Sequence, residues 1–128
     1  GGTLVFLGEM EDYPVGEVVA QEVGDSCLNL AGKTSLVVLG AVIARLAVLV
    51  TNDTGPAHIA YALGTPTVTV FGSASPEVYA PLKDGPYRIL VYEVPCRPCG
   101  YAVCPIGYRC LAGVTVEQAV KSAEEVIR

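Results

Sequence analysis

Thr51-Asn52-Asp53-Thr54-Gly55-Pro56-Ala57-His58 is the segment whose residue types and order best suit chemistry. It joins Val48-Leu49-Val50-Thr51, which reads as a buried strand, to Pro56–Leu63, which reads as a helix. A loop between a parallel strand and the next helix exposes free backbone N–H groups at the positive end of the helix dipole. Gly55 removes side-chain bulk, so an anion can approach the backbone. Thr54 adds a hydroxyl donor, and His58, the sole histidine, lies in the first helical turn. Together they suit a diphosphate cradle. The same residues also admit a purely structural use, with Asp53 or Thr54 capping the helix and His58 a satisfied, partly buried side chain. Neither a Walker motif nor a G-x-G-x-x-G pattern is present to decide between the two.

A second cluster is Cys96-x-x-Cys99-x4-Cys104-x5-Cys110, four thiols in a short stretch within the segment 95–110. Close thiolates can hold zinc tetrahedrally, and C-x-x-C is a common half-site. The spacing of the second pair departs from a ribbon or knuckle. Free thiols in a reducing compartment, or disulfides, fit the same spacing. Arg97, Tyr101, Tyr108 and Arg109 make the segment polar-aromatic and mildly basic, suited to contact with an acceptor or another domain. Cys27 falls in a strand and reads as an inert buried thiol.

The elements that must position these groups alternate along the chain. Strands are expected at 3–8, 26–30, 47–51, 67–71 and, more weakly, 88–92. Helices are expected at 14–24, 35–45, 55–63 and 116–128. In the second helix Leu36, Leu39, Val42, Ile43 and Leu46 recur at three- and four-residue spacing. Pro56 falls in the first turn of the third and Gly64 just past its end. Thr115 and Gln118 form a capping box for the last. This alternation predicts an α/β fold, a single Rossmann-like three-layer domain with a parallel sheet. The strands near 49 and 69 lack polar alternation, as expected when helices cover both faces. Ligands in such sheets bind at the carboxyl ends of the strands.

Composition bounds the rest. The 128 residues are 52% hydrophobic with a net charge of −5. No basic stripe exists to neutralise phosphates, which argues against nucleic acid as a partner. Disorder is excluded by apolar content spread along the chain. The longest apolar run, Leu36–Val50, is short of the roughly 20 residues a membrane span needs. It reads as a buried helix leading into a buried strand. Gly1-Gly2-Thr3 leads straight into a strand with no signal-peptide pattern, so the sequence reads as a domain taken from a longer chain.

Four segments in register carry a resemblance to a known family: Asn29-Leu30-Ala31-Gly32-Lys33-Thr34-Ser35-Leu36; Thr51-Asn52-Asp53-Thr54-Gly55-Pro56-Ala57-His58-Ile59-Ala60; Ala62-Leu63-Gly64-Thr65-Pro66; and Phe71-Gly72 with Ser75-Pro76. In order and spacing they resemble the ADP-heptose:lipopolysaccharide heptosyltransferases, glycosyltransferase family 9. The resemblance implies the C-terminal, nucleotide-sugar-binding half of a GT-B enzyme, spanning residues 1–128. It implies an inverting transfer of heptose from ADP-heptose to the lipopolysaccharide inner core, with no cofactor required and zinc not expected. The acceptor would reach the reaction through an N-terminal domain outside this sequence, which would also hold the catalytic carboxylate, so no catalytic residue is expected here. A cytoplasmic enzyme, peripheral at most to the inner membrane, is implied.

Residue by residue, Asp53, Thr54, Gly55 and His58 match the donor loop that contacts phosphates and sugar. Thr34 matches a position near the adenine. Asp12, with Glu11 close behind, matches the acidic residue that contacts the ribose hydroxyls, although first-turn helix charge accounts for Asp12 equally well. Lys33 reads as a solvated loop lysine. Glu9-Met10 stands where the family tends toward Gly and Pro, which weakens the ribose assignment. Val37 and Val38 replace more usual polar residues and mark either a contact surface or a more apolar core. Two other readings stay open: a family member with a different sugar donor, and a non-catalytic nucleotide-binding or interaction module.

Overall fold

A computed structural model describes residues 2–97, 99 and 103–127. Tyr101, singled out above, lies outside the described residues. The chain divides into two compact units, 1–39 and 40–128.

In the first unit β1 (Leu4–Phe6) and β2 (Cys27–Asn29) form a parallel pair, joined by a 3₁₀ turn at Met10–Asp12 and helix α1 (Tyr13–Val23). Val15, Val18, Val19 and Val23 recur along α1 at near-helical spacing, which by periodicity alone would make them its packed face. Instead Val15, Val18 and Val23 are exposed, and the buried residue is Gly16. The reason is close approach: a Cβ on Gly16 would lie 2.4 Å from Asn29 Oδ1 and 2.6 Å from the Phe6 ring. Asn29 then fastens helix to strand. Its Nδ2 donates to Tyr13 O and Glu17 Oε1, both at 3.0 Å, and its Oδ1 accepts from Ala31 N–H at 3.2 Å. Cys27 is half-buried rather than sealed in a core.

Helix α2 (Leu36–Arg45) begins in the first unit and ends in the second. Its amino-terminal half is not core: Leu36, Val37 and Val38 are exposed, and Ile43 is the residue that buries. In the second unit β3 (Leu49–Asn52), α3 (Gly55–Leu63), β4 (Thr67–Phe71), α4 (Pro76–Tyr79), β5 (Tyr87–Val91), α5 (Arg109–Ala112) and α6 (Val116–Val126) follow. β3, β4 and β5 pair in parallel, with Leu49 opposite Thr67 and Thr67 opposite Tyr87. The parallel α/β architecture is as expected. The hydrogen-bonded strands form a pair in the first unit and a triplet in the second.

β4 is the centre of the triplet and is buried almost throughout, whereas edge strand β3 buries Leu49 and exposes Val50. The core is Ile43, Leu49, Ala57, Ala60, Val68, Phe71 and Val126. Three threonines share it because their hydroxyls are satisfied. Thr65 donates to Ile43 O at 2.9 Å and Thr67 to Thr65 O at 2.7 Å, while Thr69 bonds Tyr61 Oη. Buried hydroxyls are tolerated on that condition. Gly64 closes α3 in the left-handed conformation. Thr115 and Gln118 form the predicted capping box for α6. No described helix is long and apolar enough to cross a membrane.

Candidate functional site

Because the second unit's strands are parallel, the loops after β3, β4 and β5 all leave from one edge of its sheet. The loop after β3 is Asp53–Thr54, and it delivers the chain into α3. Pro56 sits in the first turn, where its missing N–H costs nothing. Thr54 is the N-cap residue, yet no side chain caps the helix. Its hydroxyl turns back to donate to Asn52 O at 3.3 Å and lies 3.4 Å from Thr51 Oγ1. The first turn of α3 therefore lacks a side-chain cap; Pro56 has no N–H and Ala57 N–H donates to Thr54 O at 3.1 Å, which leaves the Gly55 N–H as its free donor. Gly55 also leaves the approach open, since nothing lies within 4 Å of where a Cβ would stand.

Asp53 does not cap the helix either. Its side chain is only 14% exposed, and Oδ1 is buried without a hydrogen-bond partner. His58 Nε2 stands 3.6 Å from it, just beyond hydrogen-bond reach, on a half-exposed ring. An unpaired buried carboxylate oxygen is costly and calls for an explanation. His58 in turn stacks edge-on against Tyr61 at 5.7 Å, and Tyr61 against Tyr87 at 5.1 Å. Tyr87 Oη donates to Tyr61 O at 3.0 Å. Burial pushes the Tyr61 phenol above its ordinary value, against the lowering effect of Thr69. This aromatic chain fixes the ring beside His58, and the pattern reading missed it, because Tyr61 and Tyr87 carry no motif.

The structure thus brings Asp53, Thr54, Gly55 and His58 together at one helix terminus. Thr34 and Asp12 belong to the first unit. Thr34 is half-buried in the turn that leads to α2. Asp12 Oδ2 accepts the Glu9 N–H at 2.8 Å and completes a capping box for its own short turn. That is the local helical role weighed above, and it leaves Oδ1 as the oxygen free to serve a ligand. Glu11 is exposed. Lys33 Nζ stands 5.0 Å over the Tyr13 ring instead of being merely solvated.

The cysteine segment returns to the same sheet edge. Arg97 Nε donates to Gly72 O and its Nη2 to Ala74 O, while Cys99 N–H donates to Ser73 O at 3.1 Å. These bonds tie the segment after β5 to the loop after β4. All five cysteines are free. Among the described residues no three His, Cys, Asp or Glu side chains stand together as metal ligands. Backbone N–H groups, those of Ile106 and Tyr108 foremost, hold the Cys104 thiol below its ordinary value.

The sequence profile of glycosyltransferase family 9 (heptosyltransferase) matches residues 1–108. This chain belongs to glycosyltransferase family 9. Lipooligosaccharide heptosyltransferase 2 of Haemophilus influenzae is 40% identical over 88 residues, covering 66% of this chain and 25% of that protein. The Campylobacter jejuni protein of the same name is 26% identical, over 98% of this chain and 40% of its own length. The structure of Escherichia coli ADP-heptose lps heptosyltransferase II superposes with a TM-score of 0.79 at 26% identity, over 98% of this chain and 36% of that one. A family 9 glycosyltransferase from Veillonella parvula gives 0.77 at 25% identity, over 97% and 36%. The fold is therefore that of part of a GT-B glycosyltransferase. This family 9 chain spans about a quarter to two-fifths of the length of these relatives.

Proposed function

We propose that this chain is the nucleotide-sugar-binding half of a heptosyltransferase. Its donor is ADP-heptose and the acceptor is the lipopolysaccharide core. One observation carries the reading: the uncapped amino terminus of α3, open over Gly55 and flanked by a buried carboxylate oxygen with no partner. The free Gly55 N–H and the helix dipole suit the diphosphate. His58, half-exposed at the first turn, supplies a ring nitrogen beside the same terminus. The unpaired Asp53 oxygen suits a neutral hydroxyl of the sugar, since a carboxylate repels a phosphate. The family membership and the names of the relatives support the choice of donor.

Catalysis in this scheme is shared. A carboxylate outside this chain deprotonates the acceptor hydroxyl. The helix terminus stabilises charge as the nucleoside diphosphate departs. The chain by itself binds donor and does not turn it over.

Calorimetric titration with ADP, UDP and GDP tests this. ADP is expected to bind more tightly than the other two. Gly55→Val is expected to abolish that binding while leaving the melting temperature intact, because the added side chain meets open space. Equal affinity for all three nucleotides would exclude an adenosine-diphosphate donor. Unchanged ADP affinity in Gly55→Val would remove the helix terminus from the site.

A further inference from the structure

His58 is the sole histidine, and its ring is half-exposed. Among the described residues no hydrogen bond holds that ring. Asp53 Oδ1 lies 3.6 Å from Nε2. The other contact is the Tyr61 ring, with centroids 5.7 Å apart and planes at 87°. A half-exposed side chain on a helix samples more than one staggered rotamer. Only the fraction in the productive rotamer binds, so the apparent dissociation constant rises as that fraction falls. Whatever fixes the His58 ring therefore sets affinity at the helix terminus.

Tyr61 is itself held at three points. It lies three residues after His58, on the same face of α3. Its phenol oxygen is hydrogen-bonded to Thr69 Oγ1, and Thr69 is fully buried in β4. Its carbonyl, near the end of the helix, accepts from Gly64 N–H at 3.3 Å and from Tyr87 Oη at 3.0 Å. Tyr87, on β5, also sets its ring against that of Tyr61 at 5.1 Å. Packing alone does not require the hydroxyl pair. Tyr61→Phe with Thr69→Val would fill nearly the same space, and exchanging both partners of a bond for apolar groups of the same shape is nearly neutral. What a satisfied buried pair adds is one defined conformation. The Asp53 charge is felt at the phenol as well, adding to the rise in its pKa that burial causes. Asp53, His58 and Tyr61 are thus one cluster.

We infer that Tyr61 is a positioning residue for the donor site: anchored by Thr69 and Tyr87, it holds the His58 imidazole in the rotamer that keeps Nε2 beside Asp53 at the α3 terminus. This role rests on the donor-binding reading. Tyr61 acts through His58 and not by touching the donor. An edge-on aromatic pair favours its own geometry by roughly 2- to 10-fold. Affinity at the terminus should fall by that factor when the ring is removed.

The test follows His58 by nuclear magnetic resonance in the full chain. Because it is the sole histidine, its carbon-bound ring protons give signals that no other histidine overlaps. In wild type the Tyr61 ring current should displace them from the positions of a free histidine. Tyr61→Leu is combined with Thr69→Val, so that no buried hydroxyl is left unpaired. This variant should move the signals toward the free positions and weaken ADP binding roughly 2- to 10-fold in calorimetric titration. Tyr61→Phe with Thr69→Val keeps the ring and should retain most of the displacement and of the affinity. Added to His58→Ala, the Tyr61→Leu and Thr69→Val changes should cause no further loss of ADP affinity. Unmoved His58 signals in the leucine variant, equal losses in the phenylalanine and leucine variants, or losses that add to that of His58→Ala overturn the positioning role and leave the donor reading standing. If His58→Ala alone binds ADP like wild type, the placement of His58 in the donor site fails, and the role of Tyr61 fails with it.

Discussion

Asp53→Asn separates a ligand group from a structural one. The substitution keeps shape and removes charge. Asp53 Oδ1 has no hydrogen-bond partner among the described residues, and His58 Nε2 is 3.6 Å away on a half-exposed ring. A contact at 3.6 Å to a half-exposed ring contributes at most about 1 kcal/mol, and relief of an unpaired buried carboxylate offsets that. Stability should therefore change by no more than about 0.5 kcal/mol in either direction, measured by urea denaturation. Donor binding should respond differently. A hydrogen bond from a sugar hydroxyl to a charged acceptor contributes about 1.5–3 kcal/mol. Its loss corresponds to a roughly 10- to 100-fold weaker dissociation constant for ADP-heptose. ADP alone lacks that hydroxyl, and its phosphates are repelled by the carboxylate, so ADP affinity should hold or improve. Calorimetry with both ligands at one pH and salt concentration reads the difference. Equal loss for ADP and ADP-heptose would refute the assignment to sugar. Loss of about 2 kcal/mol of stability with donor affinity intact would make Asp53 a structural residue.

Further outcomes follow from the packing. Phe71→Ala empties a fully buried position under β4 and should cost about 3–5 kcal/mol by denaturant titration. Thr115→Ala removes the α6 N-cap bond to Gln118 and should cost about 1 kcal/mol, readable as a lower urea midpoint. Tyr61→Phe leaves the fully buried Thr69 hydroxyl without its partner and should cost about 1–3 kcal/mol. Tyr61 also gives a pH signature. Its folded pKa is raised above 10.0 mainly by burial. The folded state therefore holds that proton longer than the unfolded chain, and stability is full below about pH 10 and falls as pH rises through the folded value. Tyr61→Phe should flatten that alkaline loss, and ultraviolet titration should show one fewer phenol ionising above the ordinary value.

Much of the fold was legible because local signals agreed with it. Pro56 and Gly64 bracket α3 at the boundaries the structure gives, and Thr67–Phe71 is the strand expected from its apolar run. The failures have a common physical cause. Periodicity reports which residues are apolar but not which face meets a neighbour. Val15 and Val18 therefore pointed to the wrong face of α1, where Gly16 allows Asn29 to approach. Continuous hydrophobicity suggested that β3 is covered on both sides, but β3 is an edge strand and Val50 is exposed. The short helices α4 and α5 have four residues each, too few for any period to register.

The candidate site was legible as a set of residues but not as an arrangement. Asp53 and Thr54 stand side by side before a helix, and either side chain is suited to capping it. Which one caps is decided by backbone geometry that residue types do not carry. Thr54 takes an extended conformation, φ −143° and ψ 178°, and its hydroxyl bonds backward to Asn52. Asp53 is turned inward, toward His58. A helix that only needed capping would have used one of these two side chains, at a gain of about 1 kcal/mol. Using neither leaves the Gly55 N–H free at the helix terminus and, in the residue before Thr54, a buried acceptor without a hydrogen-bond partner. Phosphates satisfy the first and a sugar hydroxyl the second, so a nucleotide-sugar is the ligand that completes both at once.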